Sequence, residues 1–386
     1  MVLPPDPEVL RPHYGAFLRS GRVLLTGHSH QAWPDVAREG LLQSFEDAAA
    51  HVDDKWARAS AVADRVRRGV AERIGGTADD VALGQSTHDL VARFLSALDL
   101  RSRPHLVTTG GEFHSLRRLL RRLAEAGLEV TVVPADPVDD LGHRLALAVR
   151  PDTAAVLAST VLYETSAVVP DLREAVASAH AVGAQVLLDA YHGFGALPFR
   201  VSDLGPDPLF VVAGGYKYAQ WGEGCCFMRV PPGCALRPVL AGWFADFAAL
   251  ETPGIVGEVG YGPRGADRFA GATYDPASHY RAAAVLDFFD AQGLTVDRLR
   301  GSYARQTARL LEGLAGFDVR TPRGEGARGA FVAVRLPDAR SVAARLRDEG
   351  VLVDARGDLL RLGPAPYVTD AEIDRGLEGL RRVTGR

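Results

Sequence analysis

The chain has 386 residues, 47% apolar and 24% charged, with 44 Lys and Arg against 48 Asp and Glu for a net charge of −4. That make-up suits a globular protein with more than one core and gives neither the clustered basic surface of a nucleic-acid binder nor the apolar run of roughly 20 residues that a membrane span needs. Three cysteines, two of them adjacent (Cys225 and Cys226), argue against a disulfide framework, and Met-Val-Leu-Pro-Pro-Asp-Pro is no export signal, so the cytoplasm is the expected compartment.

From about residue 60 to 250, helical and strand patterns alternate. Helices are expected at 61–73, 88–98, 115–126 and 172–182. Short apolar runs at 105–109, 129–133, 154–159, 185–189, 209–213 and 226–230 read as strands. Continuous Val/Leu/Ala runs between amphipathic helices predict a mostly parallel sheet covered on both faces, an α/β fold. Cys225 and Cys226 should point to opposite faces of one strand. Residues 235–278 are rich in Gly, Pro and aromatics and are expected to be irregular, as functional or interface loops are. A helical stretch from 280 to 315, broken near Gly293, leads into a smaller α+β unit: strand 330–336, helix 341–348, strands 351–354 and 359–362, helix 370–383.

Two strand ends carry the strongest chemical signal. Asp189 closes Gln-Val-Leu-Leu-Asp, and Lys217 follows 28 positions later in Val-Val-Ala-Gly-Gly-Tyr-Lys-Tyr. In a parallel sheet ligands bind at the carboxyl ends of the strands, so the two should share one edge. That pair is what pyridoxal 5′-phosphate (PLP) requires: a lysine for a Schiff base with the aldehyde, and a carboxylate that keeps the pyridine nitrogen protonated. Gly84-Gln85-Ser86-Thr87-His88 opens a helix after a short strand. Alone it reads as an N-cap; upstream of the Asp–Lys pair it reads as a phosphate cradle. Phe113 can stack on a cofactor ring or fill a core. His192 can sit beside the cofactor or be structural. The Tyr216 hydroxyl can reach a phosphate or simply pack. Arg361, within an apolar strand, can bind a carboxylate in two parallel hydrogen bonds or lie on an edge.

Together these motifs resemble fold-type-I PLP enzymes of the class V aminotransferase superfamily, and within it kynureninase, over nearly the whole chain. The resemblance implies a large PLP-binding domain at 61–278 and a linking helix with a small domain at 279–386. Residues 1–60 would pack on the small domain and the entrance to the active site. It assigns Ser86 and Thr87 to the phosphate, Phe113 to stacking, and Asp189, His192, Tyr216 and Lys217 to cofactor contact and catalysis. Leu25-Thr26-Gly27-His28-Ser29 resembles the entry segment, placing Ser29 and His30 near the substrate, and Arg361 matches the arginine for the substrate carboxylate. Gly242-Trp243-Phe244 and Thr273 resemble segments that reach the neighbouring subunit's cofactor, implying a homodimer with shared sites. No metal is expected. His28, His30, His114 and Asp246 depart from the family's pattern, mostly where a substrate side chain would lie.

The implied reaction is hydrolysis of a kynurenine-type amino acid at Cβ–Cγ, giving alanine and an aryl acid. The alternative is a PLP aminotransferase or a β-eliminating or C–S lyase acting on another amino acid. Cysteine desulfuration is disfavoured, because it needs a late nucleophilic cysteine and none follows Cys234. A catalytically idle relative is a third reading, weakened by the intact Asp189, Tyr216, Lys217 and Arg361.

Overall fold

The computed structural model describes residues 3–205, 208–251 and 257–386. Positions 252–256 of the stretch expected to be irregular, and the first two residues of the N-terminal heptapeptide, lie outside the described residues. The rest of 235–276 has 3-10 turns (Trp243–Glu251 and Asp267–Phe269) and loop, and 277–278 already belong to helix Ala277–Ala291.

Strand β1 (Val23–Leu24) belongs to the N-terminal segment. The strands of the central sheet are β2 (Val81–Gly84), β3 (His105–Thr109), β4 (Glu129–Val133), β5 (Thr153–Ser159), β6 (Gln185–Asp189), β7 (Phe210–Gly214) and β8 (Cys226–Arg229). Their order is β2-β8-β7-β6-β5-β3-β4. The pairs from β7 through β4 are parallel, and β8 is antiparallel to both its neighbours. The fold is therefore mixed α/β around a largely parallel sheet.

The period-2 alternation of a strand divides its apolar residues between two cores. Val156, Ala158, Val186, Leu188 and Val211 face one. Ala155, Leu157, Leu187, Phe210 and Val212 face the other. Cys225 and Cys226 fall on opposite sides in the same way. Helices Thr87–Ser96, His114–Glu125 and Leu172–Ala181 match the sequence pattern, and Lys55–Ile74 extends the expected 61–73.

Helix Val36–His51 has no counterpart in the sequence reading. Its apolar pattern is misleading: Leu42 and Phe45 are 50% and 73% exposed. Small residues make its packed face. A Cβ on Gly40 would come within 2.6 Å of the Tyr280 carbonyl oxygen, so glycine permits close approach to helix Ala277–Ala291. Helix Leu141–Leu147, too short to show a period, was likewise not expected.

The C-terminal unit contains β9 (Asp318–Val319), β10 (Val332–Arg335), β11 (Val351–Leu352), β12 (Asp354–Arg356) and β13 (Leu359–Leu362). The antiparallel order is β12-β13-β10-β9. The strand expected at 351–354 is in fact two. β11 pairs in parallel with β1, whereas β12 crosses to β13 and sets Asp354 opposite Arg361. The split follows from two competing partners on either side of Val353. The helical stretch breaks as expected, at Gly293 with φ +61°, between Ala277–Ala291 and Val296–Gly313. Helix Asp370–Thr384 starts at a capping box between Thr369 and Glu372.

Beyond β1, the Gly27 N–H donates to the Gly363 carbonyl at 2.7 Å, tying the N-terminal segment to the end of β13. A Cβ on Gly27 would lie 2.3 Å from the Pro364 oxygen. Gly27→Ala is expected to destabilise the protein by about 1–3 kcal/mol, as overpacking does. A thermal melt checks this; an unchanged midpoint would show that the two segments part without cost.

Candidate active site

A cavity of about 250 Å³ opens at the carboxyl edge of the sheet, with Ser86, Thr87, Phe113, Asp189, His192, Tyr216 and Lys217 in its wall. Each arrives on the segment that leaves a strand end. Ser86 follows β2 and caps helix Thr87–Ser96, its hydroxyl accepting from the Asp89 N–H at 3.1 Å. Phe113 follows β3, Asp189 ends β6, and Lys217 lies just beyond β7. The glycines before Lys217 are required by crowding. A Cβ on Gly214 would meet the Tyr191 hydroxyl at 2.4 Å, and one on Gly215 would meet Trp221 at 2.5 Å.

Lys217 is 4% exposed. Its Nζ lies 2.9 Å from His192 Nε2 and 4.4 Å from the centre of the Tyr191 ring, with Phe113 and Tyr216 each at 5.4 Å. Burial lowers its pKa to about 7, with Asp189 pulling it up and Arg361 pushing it further down. Burial also lowers His192, and the charges of Lys217 and Arg361 add to that, so its imidazole is neutral. Asp189 is raised by burial, against the Tyr191 N–H, which donates to it at 2.8 Å, and the Lys217 charge. Burial and the charge of Asp189 raise the Tyr216 hydroxyl to about 12, leaving it a hydrogen-bond donor at neutral pH.

The other expected residues are placed differently. The Ser29 hydroxyl donates to the Thr26 carbonyl at 3.0 Å rather than lining the cavity. His30 is largely exposed at the rim, stacked on Tyr216 with centroids 5.1 Å apart and 3.6 Å from Glu223. Arg361 is buried behind Tyr163, whose carbonyl accepts from its Nη1 at 2.5 Å, and is absent from the cavity wall. Trp243 Nε1 donates to Thr273 Oγ1 at 3.0 Å, and both stand outside this cavity in their own chain. His114 packs against Phe113 and Tyr163. Asp246 lies at a kink between 3-10 turns.

Sequence reasoning missed Glu112 and Asp354. Glu112 is fully buried and accepts from Thr109 Oγ1 (2.6 Å), Ser159 N (3.0 Å) and Ser159 Oγ (2.6 Å). Burial nevertheless raises it to about 7. Ser159 is the register partner of Asp189, so Glu112 buttresses the strand pair that presents the aspartate. Its signal was a carboxylate in the turn that immediately follows an apolar strand.

Residues 299–380 match the kynureninase C-terminal domain. A kynureninase of Deinococcus radiodurans is 30% identical over 380 residues, covering 94% of this chain and 90% of that protein. The chain belongs to the kynureninase family. It is thus a kynureninase-like member of the class V aminotransferase superfamily, a PLP-dependent enzyme of fold type I. The uncharacterized aminotransferase YcbU of Bacillus subtilis is 25% identical over 348 residues, covering 89% of this chain and 90% of that one. Among solved structures, C-DES with glycine covalently linked to its PLP cofactor superposes with a TM-score of 0.84 at 19% identity, over 97% of this chain and 99% of that one. Another structure of it is described as a cystine C–S lyase in complex with cysteine persulfide.

The residues fit the cofactor. Among the described residues, Lys217 is a desolvated amine with no carboxylate within 4 Å, and Asp189 a half-buried carboxylate with a backbone N–H but no ion-pair partner. Both line one cavity with a capped helix N-terminus and aromatic walls. No helix of the described residues is long and apolar enough to cross a membrane.

In cofactor-free protein the Lys217 amine is expected to lose its proton with a midpoint near pH 7, not near the ordinary 10.5. Acylation of this lysine, followed by peptide mass spectrometry, should rise with pH and level off above about pH 8, as for other buried lysines. A midpoint above about 9.5 would contradict the burial argument.

Proposed function

We propose that the protein hydrolyses a kynurenine-type amino acid at its Cβ–Cγ bond, giving alanine and an aryl acid. The observation that carries the reading is the buried, neutral-prone Lys217 amine sharing a cavity with Asp189, in a chain 30% identical to a kynureninase along its length.

Bound PLP supplies an electron sink for the pair released at the substrate's α-carbon. Asp189 holds the proton on the pyridine nitrogen, its carboxylate needing a cationic partner in a dry site. Ser86, Thr87 and the helix N-terminus hold the phosphate, with the Tyr216 hydroxyl donating to it. Phe113 and His192, both in the cavity wall, would contact the cofactor. Lys217 Nζ moves the α-proton, and a base with a pKa near 7 is matched to that task at neutral pH. His192, neutral and 2.9 Å away, orients that nitrogen. Arg361 takes the substrate carboxylate: its buried Nε has no partner among the described residues, so an anion is the natural complement. Ser29 and His30 border the substrate entrance, where His30 leans on Tyr216. Trp243 and Thr273 serve the cavity of a second copy in a cytoplasmic homodimer, which accounts for their position outside their own.

A second reading is transamination or β-elimination, including C–S cleavage. It is favoured by His114, which stands against Phe113 and Tyr163 at a position where the kynureninase pattern is not kept.

With L-kynurenine the PLP-loaded enzyme should release alanine and anthranilate in equal amounts, and Lys217→Ala should cut turnover by about 10²–10⁴-fold or more. Chromatography of the products decides between the readings. Pyruvate, or an oxo acid formed in step with loss of an amino donor, would replace hydrolysis by the second reading. Unchanged turnover in Lys217→Ala would overturn both.

A further inference from the structure

Arg361 does not stand alone. β12 and β13 are in register at Asp354 and Arg361, and the Asp354 carboxylate is ion-paired with Nη2 of the arginine. Nη1 donates to the Tyr163 carbonyl at 2.5 Å, on the segment that follows β5. The guanidinium is thus held at both ends of its fork by two separate parts of the chain. The face of Phe331 lies 5.7 Å from its carbon. Its Nε is buried and has no hydrogen-bond partner among the described residues.

Asp354 is itself a hub. It accepts from Arg356 Nη1 at 2.9 Å, and His28 Nε2 lies 3.5 Å away. His28 is stacked on Phe331 and lies under the backbone of Gly363, where a Cβ would come within 2.3 Å of Nδ1. Burial lowers its pKa to about 3, so it is neutral and adds no charge. Burial pushes the Asp354 carboxyl up, but the His28 contact and the charges of Arg361 and Arg356 outweigh this and hold it ionised. Two arginines against one carboxylate leave one positive charge at this end of the site.

We propose that Asp354 is the positioning residue for Arg361, fixing the fork so that its free N–H groups and the uncompensated charge receive the carboxylate of the incoming amino acid. This rests on the assignment of Arg361 to that carboxylate. Three features single out a clamp from an ordinary ion pair. The partner carboxylate is only 14% exposed, the arginine 3%, and the second anchor comes from a different domain face. An arginine released from these anchors would regain side-chain freedom, and binding a carboxylate would then have to order it again at a cost in free energy.

The test uses the PLP-loaded enzyme and two probes: L-alanine binding by calorimetry, and KM against kcat with L-kynurenine. Asp354→Asn keeps the shape but removes the charge. It should weaken L-alanine binding and raise KM at least tenfold, while kcat changes less than threefold and the thermal midpoint holds within a few degrees. Asp354→Glu, with charge restored at the wrong distance, should remain impaired. Arg361→Gln should weaken binding at least as much, and the double variant Asp354→Asn with Arg361→Gln should be no worse than Arg361→Gln alone, because the two act as one unit. If Arg361→Gln binds L-alanine normally, the carboxylate assignment itself fails. If Arg361→Gln weakens binding and Asp354→Asn does not, only the positioning role fails. Tighter binding in Asp354→Asn would overturn the proposal too, showing that Asp354 competes for the arginine. A parallel fall of kcat and stability in Asp354→Asn, with KM unmoved, would reduce it to a structural residue.

Discussion

Burying the Lys217 amine with no carboxylate partner among the described residues is the constraint around which the site is built. A charged ammonium at 4% exposure is expensive, and the surroundings answer by favouring its neutral form. An ordinary salt bridge would have stabilised the same lysine more simply. It would also have kept the amine protonated and useless as a nucleophile or base at neutral pH. Aromatic rings and a neutral imidazole are instead its nearest neighbours. Asp189, whose charge acts on the amine, lines the same cavity without pairing to it.

That arrangement depends on the sheet. In parallel strands every chain exit lies on the same edge, so segments far apart in sequence deliver side chains to one cavity without long loops. β8 runs against its neighbours, and so its start, not its end, reaches the cavity, bringing Cys226 there. Glycines at 214 and 215 let the Lys217 turn come close to Tyr191 and Trp221. Behind the edge, Glu112 ties the β3 turn to Ser159 on β5, so the scaffold of Asp189 is stiffened by hydrogen bonds rather than by packing alone.

The large domain's strands were legible because each is a short apolar run, and their period-2 sides sort cleanly into two cores. Asp189 and Lys217 were legible because charged residues at the ends of such runs have few structural excuses. Other features left no local trace. Helix Val36–His51 buries small residues and exposes large ones, inverting the signal that periodicity relies on. The division of 351–354 between β1 and β13 is set by partners more than 300 residues apart in one case and a few residues away in the other. Asp354 could not be paired with Arg361 until that register was known. Nor could the sequence say that Ser29 turns its hydroxyl to Thr26.

Two halves of the cavity therefore answer to different rules. The part proposed to hold the cofactor is made by one sheet and its exits, and Ser86, Thr87, Phe113, Asp189, His192, Tyr216 and Lys217 all line it. The part proposed to meet the substrate draws on the N-terminal segment, the segment after β5 and the C-terminal unit, with Tyr163 in the cavity wall and His30 and Arg361 outside it. An electron sink serves hydrolysis, transamination and elimination equally well, so the cofactor half cannot choose among them. The choice falls to groups that orient the substrate's side chain and carboxylate and that place the proton afterwards. Those groups sit on segments tied together by contacts such as the Gly27 N–H to the Gly363 carbonyl, the Gly363 N–H to the Leu25 carbonyl and Arg361 to the Tyr163 carbonyl. Small changes there can redirect the chemistry while the fold and the cofactor site remain as they are, which fits a chain that shares its architecture with lyases and its sequence with kynureninases.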